Sequence, residues 1–581
     1  MAKIHSLSIK NFRGIKDFSH IFNKSNFICL IGRGDSGKTT ILEAISYVLY
    51  PNWNLTFFDS DFYKCEVENN IEIEVSLLDL PDELLSEDKF GLYKRTLNPI
   101  TKEVMDEISE ESENDVLSIK LIVDKYLEPK WYVFNGRDIE IQISHYDRAK
   151  LNVYMISDYI DRHFSWNKGN PLYSLLKRED VVSGNENKNT IIDAIRSIKS
   201  EIDAKSSFEQ FLNTTNKIKS QTKILGVDIS NINTSIDLKD IAVKDGKVSL
   251  HDEDEKIPFR LKGKGTKRLI SLAIQMALAE ENGIVLIDEI EQGLEPDRVQ
   301  HLVNILKKNF KGQIFITTHS RNVITELFYD NLFLLKKGAT ELTILNKDIQ
   351  GCLRTNPEVF FSGKIIVCEG ATEVGICRAL NTFRMGKYEN CATFLGVSFA
   401  DGHGSTIVEY CKELTRIGYK VCLFCDSDIK DKHGINDKKE ELKRIGVYII
   451  DWNKGEYTEF AIINNIPSEI LVEILNLVVD LIEVYEKPQI NKNEIKARVY
   501  ETIKSKNVGV TPVKINPETI TPELRNAISE ASIVKKKEWF KSISRGEKLG
   551  DLIFKYYDKL LDNELKQNLD KLSDWIDDGI R

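Results

Sequence analysis

Apolar positions along this chain gather into short continuous runs, each closing on a polar or glycine-rich tip. Asn26–Ile31, Gly283–Ile287 and Ile314–Ile316 have this form in the first half, and Lys364–Cys368 and Lys420–Cys425 in the second. Such runs predict strands buried on both faces, as in a parallel sheet, and the carboxyl ends of those strands are where an α/β sheet presents its ligand-binding side chains. The run Ile71–Leu77 predicts a further strand, and Thr39–Ile45 and the segment opened by Glu373 predict helices. A span of roughly 159–223 lies between strand-like regions and holds helical stretches such as Ile191–Ile202. Beyond about residue 345 the strand–turn–helix pattern restarts.

A chain of 581 residues is too long for one core, and roughly three to four folding units are expected. With 41% hydrophobic and 29% charged residues it reads as an ordinary soluble protein. No apolar run approaches the roughly 18 residues that cross a bilayer, and Met1–His5 does not read as a secretory leader, so a cytoplasmic protein without membrane partners is expected. The nine scattered cysteines suit a reducing compartment. Cys422-x-x-Cys425 lacks a second pair and reads as two thiols of a buried strand. A net charge of −10 excludes coating of nucleic acid by bulk electrostatics, but not a nucleic-acid enzyme with a local basic track.

The first candidate chemistry follows the run Asn26–Ile31. Gly32-Arg33-Gly34-Asp35-Ser36-Gly37-Lys38-Thr39, continued by Thr40, is a complete G-x-x-x-x-G-K-T loop between strand and helix. Its glycines let backbone N–H groups curl around phosphates, at a helix amino end whose dipole favours anions. Lys38 is expected to reach the β- and γ-phosphates of ATP, and the Thr39 hydroxyl to ligate Mg²⁺. Asp288 and Glu289, at the end of the buried run Gly283–Ile287, are expected to hold Mg²⁺ and polarise water. His319, at the tip of the next run, is a candidate for the γ-phosphate.

The second candidate chemistry is carboxylate-based. Glu369 closes one strand-like run and Glu373 opens the helix four residues on; Asp426 and Asp428 follow the next run, two apart, where an extended chain points both the same way. Glu459 or Glu456 is expected to add a further carboxylate. An all-oxygen set of this kind suits Mg²⁺ or Mn²⁺ rather than zinc.

Ile9-Lys10-Asn11-Phe12-Arg13-Gly14-Ile15, the loop above and Gly293-Leu294-Glu295-Pro296 resemble the first strand, P-loop and D-loop of SMC-related ABC ATPases. That resemblance makes Arg13 a nucleotide contact and puts Asp61 near the Q-loop position. The segment Leu261–Arg268 occupies the place of the ABC signature, with Lys262 where that signature has serine. Because a signature acts on the opposite subunit's nucleotide, a dimer of heads is implied. Strand-Glu-Gly followed by strand-Asp-x-Asp resembles the Toprim domain, whose members act on phosphodiester bonds with divalent metals. Together the two resemble the OLD (overcoming lysogenisation defect) nucleases, with Glu369-Gly370-Ala371-Thr372-Glu373 similar to their E-G-x-x-E. Ser544–Gly550 is similar to the setting of that family's lysine, making Lys548 the implied phosphate contact.

The resemblance implies an α/β chain with an ABC head in lobes 1–158 and 224–345, and a helical, dimerising insertion at 159–223. A linker at 346–362, a Toprim core at 363–465 and a helical region at 466–581 follow. It implies an ATP-binding, metal-dependent DNA endonuclease, of the kind found in anti-phage defence in Gabija-like systems and retrons. Its partner would be a helicase-like protein, or a reverse transcriptase with its reverse-transcribed DNA. The alternative is an ATP-driven DNA sensor or clamp whose Toprim domain serves only for docking. The Lys535–Lys537 run with Trp539 is a candidate DNA-backbone contact.

Overall fold

The buried apolar runs assemble as parallel strands, and the turns after them carry the candidate chemistry. A computed structural model describes the chain except for residues 1, 23–24, 99, 107–114, 138–139, 157–160, 165, 167–169, 173, 176–211, 226–228, 230–231, 238–246, 280–282, 389, 405, 428–433, 454, 486–491, 507–514 and 579–581. The chain divides into two compact units, Met1–Ile344 and Leu345–Arg581.

In the first unit, Phe27–Ile31, Ile284–Ile287 and Gln313–Thr317 are buried at every position. They lie in a six-stranded sheet of order Val153–Ile156, Ile284–Ile287, Gln313–Thr317, Phe27–Ile31, Leu332–Leu334, Thr343–Ile344. All neighbours in it are parallel except the last pair. A second, antiparallel sheet runs Ile15–Ile21, Lys3–Phe12, Ile71–Leu78, Leu117–Val123, Pro129–Phe134, Glu140–Gln142. The P-loop helix Lys38–Val48 buries Ile41, Leu42, Ala44, Ile45 and Val48. These share one apolar cluster with Ile9, Ile73 and Ile119 of the antiparallel sheet and with Ile28, Leu286 and Phe315 of the parallel one. One polar side chain crosses the junction. Gln313, fully buried, accepts from the Ile4 N–H (2.8 Å) and donates to the carbonyls of Ile4 (3.0 Å) and Ser25 (2.9 Å).

The helical insertion expected over 159–223 lies mostly outside the described residues; the helix Leu212–Ile224 falls in its last part. Among the described residues no helix is long and apolar enough to cross a membrane.

The second unit is a four-stranded parallel sheet of order Val397–Asp401, Lys364–Cys368, Lys420–Cys425, Tyr448–Asp451. Helices follow its strands at Ala371–Tyr388, Ile407–Arg416 and Ile435–Arg444. Cys422 and Cys425 are buried within one strand, and burial holds both thiols well above their ordinary range. Further helices among the described residues are Thr458–Asn465, Ser468–Tyr485, Lys492–Lys506, Pro522–Ser532, Ile543–Lys555 and Glu564–Asp577. They share an apolar cluster with the sheet, through residues such as Ile366, Phe424, Ile474, Leu549 and Leu572. The segment expected as a linker, 346–362, is instead folded into this unit. Lys347–Ile349, Gln350–Thr355 and Pro357–Phe361 are short helical turns that bury Ile349, Leu353, Val359 and Phe360. Four apolar side chains spaced along so short a stretch have more to gain from the core than from solvent.

The helix Ala371–Tyr388 crosses Ile543–Lys555 at backbone contact. A β-carbon at Gly375 would lie 2.4 Å from the Glu547 nitrogen, one at Gly546 2.7 Å from the Thr372 carbonyl oxygen, and one at Gly550 2.5 Å from Ala379 Cβ. The glycines are there for proximity, and the crossing fixes the first turn of the helix that bears Thr372 and Glu373.

Candidate functional site

The P-loop turns as its glycines require. Gly32 has φ +139°, and a β-carbon there would lie 2.2 Å from the Leu335 carbonyl oxygen; Gly37, at φ +102°, precedes the helix. Gly34 faces open space, while Asp35 adopts φ +56° at the tip. Ser36 is buried beneath the loop, and Thr40 sits in the first turn beside Thr39. Lys38 is buried, and its ammonium donates to the carbonyls of Gly32 (2.9 Å) and Arg33 (3.0 Å). Burial lowers its pKa, against the raising influence of Asp288, Glu289 and Glu291.

Thr39 donates to Asp288 Oδ1 at 2.9 Å, and Thr317 to the same oxygen at 2.6 Å. The loop and the two central strands thus meet at one carboxylate. Glu289, exposed and at φ +45°, is held through its N–H by Thr317 (2.7 Å). Burial, then Lys38, lowers the pKa of His319.

Two residues not singled out from the sequence organise this turn. Glu291 accepts from the His319 N–H (2.6 Å) and the Thr318 hydroxyl (2.7 Å). Arg268 is buried in the helix Lys264–Ala279 and donates to the carbonyls of Asp288 and Glu289 (2.9 Å to the latter). A basic residue in a basic segment carries no signal of burial, which is why it escapes a sequence reading.

Arg13 is held by Asp61 (2.8 Å), by Glu43 of the P-loop helix and by the Tyr47 hydroxyl (3.2 Å). Asp61, near the Q-loop position by resemblance, is buried and gives its carboxylate to Arg13 and to the Phe58 N–H (3.0 Å). Lys262, at the signature-serine position, pairs within its own chain with Asp252 (2.8 Å) and Glu255 (2.6 Å).

In the second unit, Glu369, Glu373, Asp426 and Glu459 line one cavity of about 320 Å³, together with Asp401, His403 and Lys541. Local structure sets each carboxylate. Glu369 ends the strand Lys364–Cys368 and accepts from the Asp426 N–H (2.8 Å). Asp426 Oδ1 takes both the N–H and the hydroxyl of Thr458, each at 2.8 Å, which fixes the plane of that carboxylate. Glu373 accepts from the Gly370 N–H (3.1 Å), and Glu459 from the Thr372 hydroxyl (3.1 Å). Behind the loop, buried Lys439 donates to Ser427 Oγ (2.8 Å), Asp451 (2.7 Å) and the Asp426 carbonyl (3.3 Å).

The electrostatics are those of crowded acids. Burial, then Asp426 and Glu459, hold Glu373 well above the usual carboxylate range. Burial and Asp426 raise Glu459, with Lys541 pulling the other way. Acids that raise one another in a buried wall form an all-oxygen donor set that a divalent cation of the Mg²⁺ or Mn²⁺ kind would satisfy. Among the described residues no three Asp, Glu, His or Cys side chains are already drawn together tightly enough to hold an ion. Asp428 lies outside those residues.

Three residues singled out from the sequence sit away from the cavity wall. Glu456 does not line the cavity; it faces Glu564, whose charge, after burial, raises its pKa. Lys548 is exposed on the helix Ile543–Lys555 and is not among the lining residues, whereas Lys541, just before that helix, is. The helical period explains the difference: Gly546 and Gly550 turn one face to the neighbouring helix, which leaves Lys548 on another. Lys535–Lys537, read with Trp539 as a candidate DNA-backbone contact, are exposed, whereas Trp539 is buried.

Comparison with known proteins matches residues 2–324 to the AAA ATPase domain family and residues 360–428 to the overcoming lysogenization defect protein-like TOPRIM domain. The chain is 46% identical over 57 residues to the "Retron Ec83 probable ATPase" of Escherichia coli, an alignment spanning 10% of each protein. It is 23% identical over 384 residues to the "Retron Vc95 probable ATPase" of Vibrio cholerae serotype O1 biovar El Tor, covering 58% of this chain and 74% of that one. Among solved structures, RecF bound to ATP overlaps at a TM-score of 0.36 with 13% identity, covering 59% of this chain and 98% of that one. An Smc head bound to the C-terminal winged-helix domain of ScpA overlaps at 0.35 with 17% identity, covering 58% and 96%.

Proposed function

Because the chain belongs to the AAA ATPase domain family and carries an OLD-like TOPRIM domain, we propose that it is an ATP-binding, divalent-metal-dependent DNA endonuclease. In this reading the first unit binds and hydrolyses ATP as a dimer of heads, and its nucleotide state regulates hydrolysis of phosphodiester bonds in the second. The observation that carries the reading is the convergence of Glu369, Glu373, Asp426 and Glu459 on one cavity.

Glu369, Asp426 and Glu459, with Asp428 and Glu373 in support, would hold Mg²⁺ or Mn²⁺, which when bound neutralises phosphate charge and makes water a better nucleophile. The chain's own part is preorganisation. Thr458 and the Asp426 N–H fix two carboxylates before substrate arrives. Lys439 braces the Asp426 loop from behind. Lys541 offers positive charge to the phosphate, the role expected of Lys548.

In the ATPase, Gly32 to Thr40 would cradle the phosphates, Lys38 and His319 would meet the γ-phosphate, Thr39 and Asp288 would hold Mg²⁺, and Glu289 would orient water. Arg13, anchored by Asp61 and Glu43, borders the nucleotide. The retron-named relatives favour the retron form of this reading, with a reverse transcriptase and its reverse-transcribed DNA as the expected partner, over the helicase-like one.

The test is cleavage of plasmid and linear DNA by purified protein in Mg²⁺ or Mn²⁺, with and without ATP, beside Glu369→Ala, Asp426→Ala and Lys38→Ala. Metal-dependent cutting lost in the first two variants, with ATP binding retained, is the expected result. Lys38→Ala should lose nucleotide binding and keep the metal site. Normal cleavage by Asp426→Ala would overturn the site. ATP hydrolysis with no cleavage in any metal, alone or with the partner, would favour the sensor or clamp.

A further inference from the structure

The lip of the carboxylate cavity carries a histidine–aspartate pair that the roles above leave unused. Asp401 ends the edge strand Val397–Asp401, paired with Cys368 on the strand leading into Glu369. The Gly402 N–H donates to the Cys368 carbonyl (2.8 Å) and the Gly404 N–H to the Glu369 carbonyl (3.2 Å). The turn therefore lies along the backbone that bears Glu369. A β-carbon at Gly402 would meet the Cys368 oxygen at 2.8 Å, so only glycine lets the turn come this close. On the other side, buried Asn356 grips the Asp401 backbone, donating to its carbonyl and accepting from its N–H, both at 2.9 Å.

His403 sits on this pinned turn at φ +48°, a backbone region that glycine or asparagine takes more readily than a residue with a ring. Its N–H donates to Asp401 Oδ1 (2.9 Å), and its Nδ1 lies 3.5 Å from the same oxygen. With Nδ1 on the carboxylate side, Nε2 is the far edge of the ring. The imidazole is 49% exposed and lines the cavity with Glu369, Asp426 and Glu459. An imidazole in the open makes no packing claim on its place, so an oriented ring on a disfavoured backbone points to use. A cavity walled by acids also needs donors if a phosphodiester is to approach, and a ring N–H supplies one.

We propose that His403, in the doubly protonated form that turns Nδ1–H toward Asp401, contacts the scissile phosphodiester and donates a hydrogen bond from Nε2–H to a phosphate oxygen. This inference rests on the nuclease reading. His403 is then a catalytic residue that is no metal ligand, and Asp401 is its positioning residue.

The backbone supplies the variants. His403→Gly removes the ring and relaxes the turn, while His403→Asn tolerates the same φ and keeps an amide donor. In the full-length protein, His403→Gly is expected to keep the wild-type melting temperature and its shift in Mn²⁺, while kcat for DNA cleavage falls about 10²-fold, the loss typical of one transition-state donor. His403→Asn should recover part of that loss, and Asp401→Asn should fall between. Wild-type kcat in His403→Gly would overturn the proposal. So would joint loss of cleavage and of the Mn²⁺ shift, which would make His403 part of the metal site. Absence of metal-dependent cleavage in the wild type would instead remove the nuclease reading, and this inference with it.

Discussion

Replacing Gly375 by alanine tests the architecture under the carboxylate cavity. The new β-carbon would stand 2.4 Å from the Glu547 nitrogen, 2.5 Å from the Gly546 carbonyl carbon and 2.6 Å from the Ile543 oxygen. All three are backbone atoms of the crossing helix, so no rotamer relieves the clash; the helices must part by about 1 Å to restore van der Waals contact. Overpacking of this kind costs about 1–3 kcal/mol, against which the better helix propensity of alanine returns about 1. The net expectation is a loss of up to about 2 kcal/mol, or up to roughly 8 °C in the melting temperature of a unit this size. The same displacement moves Thr372 and Glu373, and an error of about 1 Å at a reacting centre can cost about 10²-fold in rate. The helix holds its own control. Gly386, where a β-carbon meets nothing within 4 Å, should gain about 0.5–1 kcal/mol on becoming alanine. Differential scanning calorimetry and the cleavage assay read both variants. A Gly375→Ala protein as stable as Gly386→Ala would refute the close crossing.

Other perturbations reach other parts of the chain. Gln313→Leu deprives buried Ile4 of partners for its N–H and carbonyl, and should lower the urea stability of the first unit by about 2–5 kcal/mol. His20, buried beside Phe22 and Phe333, has its pKa lowered by burial to about 4 from 6.5. The folded state therefore binds fewer protons than the unfolded one, and its stability is lost as pH falls from 6.5 through 4, by up to about 3 kcal/mol. His20→Phe should flatten that part of the stability–pH curve, and an unchanged slope would count against a buried neutral imidazole. Glu459→Gln removes a buried like charge beside Asp426 and should raise the melting temperature without metal. It should also diminish the Mn²⁺-induced rise, which for wild type at ten times Kd corresponds to about 1.4 kcal/mol.

Both units were legible in the sequence because parallel strands buried on two faces leave continuous apolar runs, and a functional turn must follow each run at its carboxyl end. Glu369 and Asp426 could be located for that reason, and Glu373 and Glu459 because each opens an apolar helix. What escaped depends on partners distant in sequence. Arg268 looks like any surface arginine until its carbonyl partners are known. Lys541 and Lys548 are equivalent as text, and only the glycine-lined helix face separates them. Residues 346–362 read as a linker because their apolar side chains follow no single period, yet they pack into the second unit. His403 sits between two glycines, outside the apolar runs that drew attention to the other site residues.

The Arg268 guanidinium bridges two elements of the first unit. The helix that begins in the signature-position segment is tied by this one side chain to the carbonyls of Asp288 and Glu289. If a nucleotide at Lys38 shifts that turn, the helix moves with it. By thermodynamic linkage, whatever docks on the helix must alter nucleotide affinity by the same factor that nucleotide alters docking. A partner could then read the fuel state of the head, and set it, without touching the phosphates.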